Sequence, residues 1–318
     1  MTTYIIRRIL YGIIVFIVVT ILVFLMMRAL PGDPILIYVV AQDVQHSTPE
    51  VLDELRAKFG LDKPIPVQYI NWIGDMFTGD LGRSISFNEP VSKLISERLP
   101  VSLYIAIASF ILASILGVAF GVIAGLRRSK FIDTVVTSLA NFGISLPHFW
   151  LAILLIYVLG VWLGWLPTSG YISPFEDFGL WVRYMVMPVF VVATWATAFY
   201  ARQARSTILE VVHQDYIRTA WAKGLRERVV VLRHALKNAF IPVITVMGMS
   251  FVMMVSGQVV IENVFGIPGL GRLIVAAIFA QDYAIVQGCV LVIAVMVVLA
   301  NLLVDISYGW FDPRIRYN

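Results

Sequence analysis

The stretch that decides the fold is Val101–Leu126, which reads VSLYIAIASFILASILGVAFGVIAGL and contains no Asp, Glu, Lys or Arg. A helix rises about 1.5 Å per residue, so about 20 apolar residues cross the roughly 30 Å hydrocarbon core of a bilayer. This stretch is therefore long enough to cross a membrane as a single helix.

Five further apolar windows also lack these four charged residue types. They are Ile9–Met27, Val135–Leu163, Tyr184–Ala201, Phe240–Ile261 and Ala284–Val304. The six windows predict an all-α polytopic membrane protein with six transmembrane helices. The first window is longer than the apolar core of a signal peptide, about 7–15 residues, so we expect it to remain as an uncleaved span.

The composition supports a lipid environment. Of 318 residues, 59% are apolar and 14% are charged, whereas soluble domains are roughly 45–50% apolar and 25% charged. A soluble domain of this length could not bury so much apolar surface. Disordered proteins, coiled coils and ordinary soluble enzymes are therefore excluded.

The basic residues predict the orientation. More than half of the 24 Lys and Arg lie at the two termini, in the connection after the second window and in the connection after the fourth. Cytoplasmic segments carry an excess of Lys and Arg, so this side is predicted to be cytoplasmic. Both termini are then inside, as an even number of spans requires.

Two long connections divide the chain into predicted regions. Residues 1–30 form a cytoplasmic stub and the first helix, and residues 31–100 form an external loop. Residues 101–318 form the core with helices 2–6, including a cytoplasmic loop at 202–237. Within the external loop, Thr48–Phe59 reads as a helix with Thr48 as its N-cap, and Val91–Leu99 reads as another.

The spans exclude several classes of membrane protein. Ion-coupled transporters usually carry an acidic or histidine side chain inside the membrane, and of these residue types only His148 lies within a window. We weigh a proton-relay role for His148 against capping or packing beside Pro147. The chain has one cysteine, Cys289, and no phosphate-binding loop, metal-ligand spacing or catalytic motif. We therefore expect no catalytic residue and no metal site, and uphill transport would take its energy from another subunit.

Two patterns mark the interior of the spans. Gly117, Gly121 and Gly125 repeat every four residues, which allows another helix to approach closely. Met249 and Met253 lie in the fifth window, and Gln258 follows them. Methionine adapts to varied surfaces, so with His148 these residues are candidates to line a translocation path. Ordinary core packing is the alternative.

The cytoplasmic loop 202–237 contains the most specific sequence. Thr207 followed by Glu210 matches a capping box. Asp215 is placed to N-cap a short helix, Tyr216–Lys223, and Gly224 is placed to end it. A basic loop held near anionic lipid is the alternative explanation for its many cationic residues.

This loop resembles the cytoplasmic EAA loop of type-I ABC transporter permeases. Aligned on Gly224, the E-A-A positions hold Arg218-Thr219-Ala220, and Lys237 replaces the proline that ends the motif. His234 and Leu236 occupy the Ile and Leu positions. Gln214–Leu225 and Arg233–Ala239 instead follow the dipeptide/oligopeptide branch almost residue for residue.

The resemblance continues along most of the chain, outside the middle of the external loop. Its other motifs are Leu30-Pro31-Gly32-Asp33-Pro34, Glu97-Arg98-Leu99-Pro100, Val264-Phe265-Gly266-Ile267-Pro268-Gly269-Leu270-Gly271 and Asp312-Pro313-Arg314-Ile315-Arg316. Together these motifs occur in order and on the expected sides of the predicted spans, which is far more specific than one short match.

The resemblance implies a subunit of an ATP-driven importer in the cytoplasmic membrane of a prokaryote. Partners would be a second homologous permease, two ATPase subunits, an extracytoplasmic solute-binding protein and membrane lipid, but no nucleic acid. ATP and Mg²⁺ would bind to the ATPases, with no cofactor on this chain. Residues implied in the ATPase-coupling helix are Asp215, Tyr216, Arg218, Thr219, Ala220, Lys223, Gly224 and Leu225.

The cargo implied by this branch is a dipeptide or oligopeptide. Relatives in the branch also carry oligosaccharides, nickel chelates, glutathione and heme. A passive channel or a membrane anchor is the alternative from another class, although neither explains a capped helix in a strongly basic cytoplasmic loop.

Overall fold

The computed structural model describes residues 2–29, 35, 39, 49–58, 60–256 and 258–311, most of them in helices. In chain order the helices are α1 (Thr2–Ala29), α2 (Pro49–Lys58), α3 (Ile65–Phe77), α4 (Val91–Leu126), α5 (Phe131–Ser145), α6 (His148–Leu155), α7 (Phe178–Val212), α8 (Asp215–Ala222), α9 (Leu236–Val255), α10 (Val259–Val264), α11 (Leu270–Phe279) and α12 (Tyr283–Phe311). A π-helical segment, Ile156–Trp162, continues α6. A short turn, Glu227–Val229, and a second π-helical segment, Val230–Ala235, lead into α9.

Within the described residues, four helices are long and apolar enough to cross a bilayer: α1, α4, α7 and α12. They contain four of the six predicted windows. Many of their large apolar side chains are exposed, such as Leu22 at 53% and Ile115 at 63%. Exposed apolar surface on this scale fits lipid rather than water as the surrounding medium.

The predicted window Val135–Leu163 is not one continuous helix. Phe131–Ser145 and His148–Trp162 meet at an angle of 102°, so this window is a bent pair. Leu146 between them is extended because the residue before a proline avoids the helical region, and Pro147 has no N–H to donate.

The predicted window Phe240–Ile261 is also divided between two helices. Helix α9 ends at Val255 and α10 begins at Val259. The apolar part of α9, Pro242–Val255, is too short to cross a bilayer by itself. By length and composition, the described chain thus has four candidate single-helix spans and a fifth if the bent pair counts as one. The count of six spans stays a prediction.

Most of the described residues of the predicted external loop are helical, with non-helical connections at residues 60–64 and 78–90. The helix expected over Thr48–Phe59 is present as Pro49–Lys58, while Thr48 and Phe59 lie outside the described residues. Val91–Leu99 is the start of α4 rather than a separate helix, since α4 continues through Pro100. The motifs at 30–34 and 312–316 lie outside the described residues.

The most extensive helix contact among the described residues joins α4 to α7 along the glycine stripe. A Cβ atom added to any of the three glycines would overlap α7 side chains, which shows how closely the two backbones approach. The added Cβ atom would lie 2.7 Å from Tyr200 Cβ at Gly117, 2.6 Å from Ala204 Cβ at Gly121 and 2.8 Å from Ile208 Cγ2 at Gly125. The partners Tyr200, Ala204 and Ile208 are all buried.

Two apolar clusters surround this contact. The larger cluster packs α4 and α7 against α6, α9 and α10, with Ile105 and Val191 fully buried. The smaller cluster packs the start of α4 against α11, α12 and the end of α1, with Ile285 fully buried. Helix α4 therefore belongs to both clusters and connects them.

An ion pair between Arg205 and the buried Asp133 connects the predicted cytoplasmic end of α7 to the start of α5. Arg205 Nε and Nη2 donate to Asp133 Oδ1 and Oδ2 at 2.6 and 2.9 Å, and the Ser129 N–H donates to Oδ2 at 3.0 Å. Asp133 is only 5% exposed. Paired hydrogen bonds from a guanidinium to a carboxylate are among the strongest in proteins, so this pair holds the connection between α4 and α5 against α7.

We predict that Gly121→Leu destabilises the protein by about 1–3 kcal/mol or prevents its folding, because the added side chain must separate α4 from α7. The thermal unfolding midpoint in detergent and the monodisperse fraction measure this. Gly74→Leu in α3 is the matched control, since a Cβ there meets nothing within 4 Å. Equal midpoints for the two variants would contradict the role given to the stripe.

Candidate functional site

The predicted cytoplasmic loop contains a short, well-defined helix, α8. Its start differs from the prediction: Gln214, in an extended conformation, holds the N-cap position, and Asp215 is the first helical residue without a side-chain cap. The carboxylate of Asp215 instead lies 3.6 Å from Arg218 Nη1. An acidic residue in the first turn is favourable because the N-terminus of a helix carries partial positive charge.

The capping box predicted at Thr207 and Glu210 is absent. Helix α7 continues without interruption to Val212, so Thr207 lies inside it and is buried. The Thr207 hydroxyl donates to the Gln203 carbonyl at 2.8 Å. The long helix therefore extends close to the start of α8, and only His213 and Gln214 separate the two.

Gly224 ends α8 in the left-handed conformation, with φ +76°. The Gly224 N–H donates to the Trp221 carbonyl at 2.9 Å, and the Leu225 N–H donates to the Ala220 carbonyl at 3.4 Å. Glycine adopts this conformation with little cost, whereas a residue with a Cβ is strained there.

One face of α8 is held against the rest of the loop. Ile217 and Ala220, three residues apart, are buried together with Val230 and Ala235 of the following π-helical segment. Ala220 therefore supports the helix from inside. The side chains of His234 and Lys237 lie outside what the structure describes.

The surface of α8 outside this buried face, together with the residues that end the helix, is exposed and combines aromatic, aliphatic and basic side chains; we call it the exposed face of α8. Tyr216, Trp221 and Leu225 are 43%, 41% and 39% exposed, and Arg218 and Lys223 lie beside them. Aromatic residues and arginine are enriched in protein interfaces. Sequence reasoning missed Trp221, although its place directly after the buried Ala220 puts it on a different face of the helix.

Three of the four candidate path residues meet in one cavity. His148, Met253 and Gln258 line a space of about 240 Å³, together with Trp195 and Ser250. Met249 does not line this cavity and is 65% exposed, so the structure does not bring it together with the other three. Among the described residues, no group of three or more His, Cys, Asp or Glu side chains could hold a metal ion.

Two buried carboxylates on the predicted external side were missed by sequence reasoning. Glu262 Oε1 accepts a hydrogen bond from Ser102 Oγ at 2.6 Å, and Oε2 accepts one from the Arg272 N–H at 2.9 Å. Ser102 Oγ in turn accepts from the Leu270 N–H at 2.9 Å. The fully buried Glu262 thus joins α4 to the N-terminus of α11. Gly269 leaves the space for its carboxylate, since a Cβ there would overlap that group.

Asp282 makes the equivalent connection for α12. Its Oδ2 accepts hydrogen bonds from Ser84 Oγ at 2.6 Å and from the Ser86 N–H at 2.9 Å. Its Oδ1 accepts from the Ile285 N–H in the first turn of α12 at 3.3 Å. Asp282 is also fully buried. The segment before α4 is therefore tied to the start of α12.

Comparison with known proteins gives a consistent result over the whole chain. The family model described as "Binding-protein-dependent transport system inner membrane component" matches residues 117–317, and the N-terminal model of the same kind of component matches residues 1–106. A protein named putative peptide transport system permease protein from Brucella abortus is 44% identical over the full length of both chains. The oligopeptide transport system permease protein AppB of Bacillus subtilis is 41% identical, again over both full lengths.

A solved structure shares the fold. A chain of the MetNI methionine ABC transporter, in an inward-facing conformation, superimposes with a TM-score of 0.55 at 19% identity. The match covers 69% of the present chain and 96% of that chain.

Proposed function

Because the chain belongs to the family of binding-protein-dependent transport system inner membrane components, we propose that it is the permease subunit of an ATP-driven peptide importer. Its cargo is a dipeptide or oligopeptide delivered by an extracytoplasmic solute-binding protein. The observation that carries the proposal is the exposed face of α8, in a chain 41–44% identical over its full length to proteins named as peptide permeases. That face has the composition of a protein interface and lies at the end of the 35-residue helix α7.

In this proposal α8 is the contact with a cytoplasmic ATPase subunit. Tyr216, Trp221 and Leu225 supply apolar contact area, and Arg218 and Lys223 supply positive charge at its margin. Ile217 and Ala220 fix α8 on Val230 and Ala235, so a force on the exposed face moves the loop as one piece. ATP and Mg²⁺ bind to the ATPases and not to this chain.

The complete assembly contains two ATPase subunits, a second homologous permease forming a heterodimer with this chain, and the binding protein. It lies in the cytoplasmic membrane of a prokaryote with both termini inside. The bent pair of α5 and α6 with its π-helical continuation supplies the third crossing, and α9 with α10 supplies the fifth. Alternating access then requires two arrangements of this bundle, one favoured by ATP and the other by its release.

The cavity lined by His148, Met253 and Gln258 is a candidate segment of the translocation path. Its walls combine methionine, an indole, an amide and a hydroxyl, and carry no acidic or permanently cationic group. Such walls suit peptides of varied side chains because they impose little charge selection. Selection of the cargo then falls to the binding protein.

The proposal is tested by purifying the tagged chain from its native membrane in mild detergent and identifying the co-purifying proteins by mass spectrometry. We expect two ATPases or one ATPase in two copies, a second permease, and ATP hydrolysis stimulated by a peptide-loaded binding protein. A known importer purified in parallel controls for dissociation. A lone chain without hydrolysis, under conditions that preserve the control, would contradict the proposal and favour a channel or an anchor.

We predict that Gly224→Val lowers peptide-stimulated ATP hydrolysis and import by roughly tenfold, because a β-branched residue strains the left-handed end of α8 by about 1–3 kcal/mol. Gly164→Val is the matched control. Gly164 has φ +64° and Gly224 φ +76°, and an added Cβ at either meets nothing within 4 Å.

The control variant carries the same backbone strain at a position far along the chain from α8. Both variants should insert into the membrane at wild-type levels, as quantified by blotting of membrane fractions. Normal import by Gly224→Val, or equal losses in the two variants, would contradict the coupling role of α8.

A further inference from the structure

A second cleft, separate from the proposed path and from α8, lies between the end of α1, helix α3 and the first turns of α12. Its volume is about 350 Å³, at the lower end of the roughly 300–1,000 Å³ typical of small-molecule sites. Phe24 and Trp72, with ring centroids 5.9 Å apart, form part of its apolar wall. Arg28 and Gln287 also line it.

Arg28 is held in a fixed position in this cleft. Its Nε donates to Gln68 Oε1 at 2.9 Å, and Gln68 Nε2 donates to the Lys63 carbonyl at 2.7 Å. The guanidinium carbon lies 4.9 Å from the ring centroid of Phe24 and 5.4 Å from that of Tyr283. Cation–π contacts and the Gln68 bond thus orient the guanidinium before any ligand arrives.

Two donors in this cleft have no hydrogen-bond partner within the described part of the chain. They are Arg28 Nη1 and Gln287 Nε2, and both atoms are buried. Gln287 is 95% buried, with only 5% of its surface exposed. A buried donor without a partner is costly, and more so when it carries charge. Since both atoms donate, the group that completes the site must be an acceptor.

The charges around the cleft specify the sign of that acceptor. Arg28, Lys63 and Arg83 line it with one acidic residue, Asp75. Lys63, Arg83 and Asp75 are exposed at its margin, and the Arg83 guanidinium is already bonded to the Asn88 carbonyl. A mainly cationic margin raises the local concentration of anions. Asp282 already occupies the N-terminus of α12, so anion binding rests on the side chains and not on that helix end.

We propose that this cleft binds a carboxylate or phosphate group of a small amphiphilic molecule, with Arg28 and Gln287 as donors and Phe24 and Trp72 against its apolar part. The C-terminal carboxylate of a short peptide and the phosphate of an anionic lipid share this chemistry. The proposal does not rest on the translocation path or on ATP coupling, because it is tested by binding to the chain alone.

The test uses the full-length chain in uncharged detergent and measures binding by calorimetry with two matched pairs of probes. The dipeptide Ala-Phe is compared with Ala-Phe amide, which removes only the carboxylate. Dihexanoyl phosphatidylglycerol, which is anionic, is compared with dihexanoyl phosphatidylcholine, whose cationic choline group balances the charge of the phosphate. Preference for the acid identifies a peptide-type ligand, preference for phosphatidylglycerol identifies a lipid, and either result supports the anion site.

Substitutions locate the binding. We expect Arg28→Met to weaken binding of the preferred probe by roughly 10- to 100-fold, and Arg28→Lys to weaken it less. Arg127→Met, which removes an exposed cation at the end of α4, is the control and should bind as the wild type does. Gln287→Leu should weaken binding several-fold while its thermal midpoint stays equal or rises, because it removes an unpaired buried donor.

A purely structural role for these residues predicts a different outcome. Failure to discriminate within both probe pairs, or equal binding by Arg28→Met and Arg127→Met, would overturn the site. If Arg28→Met does not fold, Arg28→Lys and Gln287→Leu decide the question. Because transport is not measured, failure here leaves the importer proposal intact.

Discussion

The close approach of α4 and α7 is the contact on which the rest of the structure depends. Lipid supplies little hydrophobic force between helices, so association relies on close packing of small residues and on polar contacts. Gly117, Gly121 and Gly125 permit that packing, and the ion pair of Arg205 with Asp133 continues it to the end of the bundle. Helix α7 is thereby held along much of its length, and α8 follows directly from its last turn. The position of the exposed surface of α8 is thus fixed by contacts made inside the bundle.

On the predicted external side of the bundle, hydrogen bonds to buried carboxylates, rather than close packing at glycines, hold the helices in place. Glu262 and Asp282 each accept hydrogen bonds from a helix N-terminus and from a serine far away in the sequence. A buried charge without such partners would be strongly destabilising. Glu262 therefore fixes the start of α11 relative to Ser102, and Asp282 fixes the start of α12 relative to Ser84. Together with the α4–α7 contact, they make α4 the common support for the two ends of the molecule.

Sequence reasoning located those features that depend on local pattern. Apolar length identified α1, α4, α7 and α12, and glycine with its neighbouring polar residues identified α8 to within one residue. It failed where geometry depends on a single residue or on distant partners. Average hydropathy does not register the bend before Pro147 or the break between Val255 and Val259. The bonds of Ser102 with Glu262, 160 residues apart, and of Asp133 with Arg205, 72 residues apart, leave no local periodicity.

Because only His213 and Gln214 separate α7 from α8, and Val211 of α7 packs against the apolar cluster that holds α8, we infer that α7 and α8 move as one rigid unit in the proposed importer. Pulsed electron paramagnetic resonance can measure the distance between spin labels at Phe178 and Ala222 in the assembled transporter, with Cys289 replaced by serine. The account predicts one narrow distance distribution that is the same without nucleotide and with a non-hydrolysable ATP analogue plus loaded binding protein. A shift of several ångströms, or a distribution that broadens on ATP binding, would show that α8 moves independently of α7 and would contradict the account.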